Sequence, residues 1–158
     1  MAPPEPRPGA ERTSQHADPA IHQALVIVGQ PLNPVRVADT EEIRQLYARA
    51  PGVGAPPPGI DAFRAPGDMN DPHIYVNRES PVYRAAAGTS SSLAILVLAG
   101  TLVHEQVHNT DREPAARRVQ ADFVRSRLGL VRRQERDAAQ RYLERLELRA
   151  RAIALAGR

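Results

Sequence analysis

Five residues about two thirds of the way along the chain have types and a spacing that could do chemistry. They are His104, Glu105, Gln106, Val107 and His108, a His-Glu-x-x-His sequence at the end of the longest apolar run. On a helix, positions i and i+4 differ by about 40° around the axis. Both imidazoles then project from one side, about one turn apart, where two nitrogens can share a metal ion. Glu105 lies beside the first histidine, near enough to a metal-bound water to take its proton. Two neutral nitrogen ligands, an open water position and an adjacent carboxylate base suit zinc hydrolysis. The alternative is a buried, hydrogen-bonded histidine pair. Burying two imidazoles and an acid without a metal or a partner network would be costly.

A catalytic zinc site generally uses three protein ligands plus water. The chain has no cysteine, so the third ligand must be His, Asp or Glu. Glu113 is the first candidate, because it opens the helix that follows the turn after His108. It could instead close a capping box with Thr110 and satisfy a backbone N–H. Asp111, Asp122 and His73 are the other candidates.

These residues need elements to hold them. Leu93 to Val103 is apolar almost all round, the mark of a helix buried in a core or in lipid. Eleven residues are too few to span a bilayer, so the core reading is preferred. Thr89 to Ser92 supply candidates for its N-cap. Gly100 and Thr101 keep the histidine side of this helix small, for close packing of a strand or for substrate clearance. Upstream, Ile74-Tyr75-Val76-Asn77 has strand alternation, with Ile74 and Val76 on one face. Ala24 to Val28 reads as a buried strand ending at Gly29. Val35 to Val37 reads as a short extended stretch. Residues 40–50 read as a helix capped by Asp39, and residues 51–71 as a long Pro/Gly-rich loop that Ile60 and Phe63 could pin to the core. Downstream, a helix starts near Glu113-Pro114 and Gly129 marks a break. Residues 130–156 read as a long helix with Ala139, Leu143, Leu146, Ala150 and Ile153 as its stripe. That stripe could pack on the domain or on a second copy of the chain.

The 158 residues are enough for one domain with a single core, and 15 prolines with no Trp suggest that core is small and aliphatic. All 21 basic residues are Arg, yet the net charge is only +3, which is weak support for a polyanion partner. Acids interleave with the arginines of the last helix, giving a mixed face where a nucleic-acid binder would need a basic stripe. Residues 1–19 read as a disordered arm, 20–128 as the domain and 129–158 as a C-terminal amphipathic helix. No secretory signal pattern is visible in the first twenty residues, so the expected location is the cytoplasm, with no membrane partner.

With these residues in place, the chain resembles the zincins, the His-Glu-x-x-His zinc metallopeptidases, and within them the gluzincin type whose third ligand is Glu. The resemblance covers roughly residues 70–128, and its specific part is the five-residue motif. It implies an α+β fold: a small zincin-like domain with a short mixed sheet packed on a buried active-site helix, followed by C-terminal helices. It implies Zn²⁺ as cofactor, His104, His108 and Glu113 as its ligands, Glu105 as the catalytic base, and a peptide or protein substrate. It also implies that Ile74, Tyr75, Val76 and Asn77 form the edge strand that holds an extended substrate. No metzincin Gly-x-x-His follows the motif, and Glu113 stands much closer to His108 than gluzincin spacing usually has it. Tyr75, Tyr83 and Arg117 are candidates by residue type for supporting a transition-state oxyanion. The competing expectation is a non-catalytic helical protein that uses the Arg-rich C-terminal helix to bind a partner or itself. Nucleic-acid binding by that helix is a weaker third.

Overall fold

A computed structural model of the chain describes residues 18–88, 90–108 and 113–156. The expected disordered arm lies outside the described residues, apart from its last two. Among the described residues there are six α-helices and one mixed three-stranded sheet, an α+β architecture. No helix among them is long and apolar enough to cross a membrane.

Helix α1 spans Pro19–Val28, where a strand was expected at residues 24–28. The apolar run is helical because its ends carry helix punctuation. Asp18 is the N-cap, its Oδ1 accepting from Ile21 N at 3.0 Å, and Pro19 stands in the first turn. Gly29 closes the helix in the left-handed region at φ 70°, and its N–H donates to Leu25 O. Ala20, Ile21, Ala24 and Val28 then share one buried face.

Strand β1 (Val35–Ala38) leads to helix α2 (Thr40–Ala48), where Asp39 Oδ1 accepts from Glu42 N at 2.8 Å. The Glu42 carboxylate pairs with Arg36 at 3.2 Å. Strand β2 (Ala62–Arg64) forms inside the expected loop, around the anchors named from the sequence: Phe63 is buried and Ile60 packs beside it. Strand β3 (Ile74–Asn77) follows. The order is β1-β3-β2, with β3 parallel to β1 and antiparallel to β2. Val35 stands opposite Ile74 on one side of β3, and Arg64 opposite Ile74 on the other.

This corrects the expected edge strand. Ile74, Tyr75, Val76 and Asn77 are the centre of the sheet, with neighbours on both sides, so their backbone is not free to add a substrate strand. The alternation itself is as read. Ile74 and Val76 pack toward the long buried helix, and Tyr75 packs with Tyr47 and Phe63 on the opposite face.

Helix α3 (Pro81–Gly88) precedes helix α4 (Ser92–Val107), whose N-cap Ser91 accepts from Ala94 N at 3.1 Å. Helix α4 is apolar all round because it is covered all round. Ile95, Leu98, Ala99, Leu102 and Val103 meet α1 and the sheet, while Leu96 meets the helices that follow. Helix α5 (Glu113–Arg127) and helix α6 (Arg136–Ala156) complete the fold. The last helix begins at 136 and not at 130, because two 3₁₀ turns intervene, after which the chain straightens into the helix. Between those turns Val131 is buried in the core with Ala139, Leu143 and Leu146. Gly100 faces α5 and not a strand: a Cβ there would lie 3.1 Å from Val124 Cγ2.

Candidate metal centre

The C-terminal half of α4 carries the motif, and the start of α5 returns alongside it. His104 Nε2 and His108 Nε2 face each other at 2.9 Å. Glu113 closes the triangle, with Oε2 2.7 Å from His108 Nε2 and Oε1 3.4 Å from His104 Nε2. His104, His108 and Glu113 therefore each offer one ligand atom, all within 4.8 Å of one another. A four-coordinate zinc with bonds near 2.1 Å spaces its donors about 3.4 Å apart. The two imidazole nitrogens, at 2.9 Å, stand about half an ångström inside that spacing, and Glu113 meets them with different oxygens, Oε2 toward His108 and Oε1 toward His104. Two Nε2 atoms this close need a proton or a cation between them. The donor set, two imidazoles and a carboxylate, is one that zinc accepts.

Electrostatics prepare the donors. Burial pushes the His104 pKa down to about 4, against the opposing charge of Glu113, so the ring is neutral at pH 7 as a ligand must be. Glu113 is pushed up by burial, but His104, Arg117 and His108 together hold it below the usual carboxylate range. Arg117 Nε donates to Glu113 Oε1 at 2.6 Å. With its carboxylate turned to the histidines and Arg117, Glu113 faces the ligand position. The Thr110 half of the capping alternative, like the alternative ligand Asp111, lies outside the described residues.

The chain matches no family model, no curated protein and no solved structure. What the site can do is read from its own atoms.

Glu105 sits on the same turn of α4 as His104. Burial, then the charge of Glu113, pushes its pKa up to about 8, against the pull of Arg117 and Arg64. It borders a cleft of about 240 Å³ with His104, Thr101, Arg117 and Gln120, and the opposite wall is Gly59, Ile60, Asp61 and Ala62. That wall is the lead-in and first residue of β2, the outer strand of the sheet on this side. A larger, apolar pocket of about 360 Å³ between α1 and the start of α4 contains none of the candidate residues.

The remaining sequence candidates are engaged elsewhere. His73 Nδ1 meets Asp71 Oδ1 at 2.9 Å, and Asp122 accepts from Arg125 at 2.7 Å. Tyr75 donates to Asp71 and Tyr83 to Asp18, each at 2.5 Å, so both phenols are occupied away from the histidines. Only Arg117 of the three oxyanion candidates borders the cleft. Three participants escaped the sequence reading. Gln106 exchanges hydrogen bonds with Asn33, accepting at 2.8 Å and donating at 3.1 Å, and so ties the end of α4 to the chain before β1. Asp61 and Gln120 line the cleft through long-range packing, and no local spacing announces that.

Proposed function

We propose that the protein is a zinc-dependent peptidase of zincin-like organisation, with His104, His108 and Glu113 as ligands and Glu105 as general base. The observation that carries this reading is the convergence of those three donors, one of which, His104, lines a polar cleft together with Glu105. A zinc ion held there would supply Lewis acidity and a water of lowered pKa. Glu105 would take a proton from that water at its carboxylate and deliver it to the leaving amine. Its raised affinity for a proton suits the second task. Arg117, fixed by Glu113, would present its remaining N–H groups to charge developing in the cleft.

The strand that would receive an extended peptide is β2, antiparallel to its neighbour and paired on one side only within the sheet. Strand addition there needs unpaired backbone groups facing the cleft side, which β3 does not have. The interaction-protein alternative draws less support, because Ala139, Leu143 and Leu146 of the α6 stripe are used inside the molecule.

The test is metal content and hydrolysis together. The protein should carry about one equivalent of zinc, and Glu105→Gln should keep the metal while losing cleavage of labelled casein. Protein from zinc-replete cells that is metal-free and takes up no zinc in titration would end the proposal. Glu113→Ala should weaken zinc binding by more than the roughly 10–100-fold typical of outer-shell changes. Unchanged affinity would remove Glu113 from the ligand set.

A further inference from the structure

We infer that Gln120 is the positioning residue for His104, accepting the Nδ1 proton and so fixing Nε2 as the atom offered to a metal. The zinc part of this inference rests on the function proposed above; the contact itself does not.

Three atoms among the described residues are buried without a hydrogen-bond partner: Arg64 Nη1, His104 Nδ1 and Gln120 Oε1. Two of them belong to neighbouring side chains of complementary type. His104 is 7 % exposed and Gln120 5 %, so neither can turn to bulk water. With the proton between the two Nε2 atoms carried by His108, or with a cation in its place, a neutral His104 ring has its own proton on Nδ1. That proton requires an acceptor, and the amide oxygen of Gln120 is an acceptor with no other donor.

The backbone explains how the two meet. Gly100 stands one turn before His104, and a Cβ there would lie 3.7 Å from Gln120 Cγ and 3.8 Å from Gln120 Nε2. The Gln120 side chain therefore lies along α4 where a side chain is missing, next to the turn that carries His104. Gln120 and His104 line the same cleft, and the amide lies close enough to the ring to favour its protonated form. An acceptor behind a ligating histidine fixes the tautomer and the ring plane, which is how outer-shell groups strengthen metal sites.

Histidine labelled with ¹⁵N in the full-length protein reads the tautomer directly, and a chelator competition reads zinc affinity. Wild type should hold His104 as the Nδ1–H tautomer without metal and retain it with zinc. Gln120→Leu should release the metal-free ring to a mixture of tautomers and weaken zinc about 10–100-fold. Gln120→Glu, which keeps an acceptor, should restore both. Gln120→Met is closer in shape and replaces the Leu variant if that one does not fold. A folded Leu or Met variant with the wild-type tautomer and wild-type zinc affinity overturns the inference. If wild type takes no zinc but the tautomer still responds to Gln120, the bond stands and the zinc-peptidase reading falls.

Discussion

Glu105 and His104 are adjacent, and burial moves their pKa values in opposite senses, to about 8 and about 4. For Glu105 the folded pKa is raised above 4.5, so its contribution to stability is full below pH 4.5 and is lost as pH rises toward 8. For His104 the folded pKa is depressed below 6.5, so stability is lost as pH falls from 6.5 toward 4. Between pH 4.5 and 6.5 the two oppose each other; from 6.5 to 8 Glu105 acts without that opposition. Metal-free protein should therefore lose stability over that window, by about 2 kcal/mol at most. Urea titrations at pH 6.5 and 8 measure the loss, and Glu105→Gln should abolish it. An unchanged slope in the variant would show that Glu105 ionises normally. Saturating zinc should also flatten the slope, because a nearby cation favours the ionised carboxylate.

At the scale of elements, the close crossing of α4 and α5 depends on Gly100. Gly100→Ala adds a methyl 3.1 Å from a Val124 methyl that is completely buried. Overpacking of this kind costs about 1–3 kcal/mol, and the helix gains back up to about 1 kcal/mol from replacing glycine. A net loss in melting temperature is expected, and a rise would mean that Val124 can yield. Helix α4 was legible because the eleven residues from Leu93 to Val103, apolar almost all round, have few places to go, and the spacing of the histidines needs only that helix. Helices α2 and α5 were legible from Asp39 and from Glu113-Pro114. Residues 24–28 were misread because five apolar residues have no period of their own; the cap at Asp18-Pro19 lies outside that window, and a glycine such as Gly29 ends a strand as readily as a helix. The central position of β3 was not legible either. Alternation specifies two faces, and which strands flank a strand is decided by pairing with residues far along the chain. Gln120 is in the same position: its role depends on what two helices bring next to it.

At the scale of the molecule, three apolar clusters surround α4 and the sheet, and the C-terminal helix supplies one of them. Leu143 is buried there, whereas Leu148 on the same helix is 63 % exposed. Leu143→Ala should cost about 2–5 kcal/mol independent of protein concentration, while Leu148→Ala should cost little. A Leu143→Ala penalty that grows on dilution would instead indicate that the stripe is shared between copies. Glu135, in the turn just before α6, accepts hydrogen bonds from Ser91 and Ser92 hydroxyls and from the backbone N–H of Ser92 and Leu93. It thus closes the N-terminus of α4, the helix whose far end carries the histidines. The motif is consequently not portable. A fragment ending near residue 128 would contain every candidate ligand and the base, yet the helix presenting them would have lost the clasp at its opposite end.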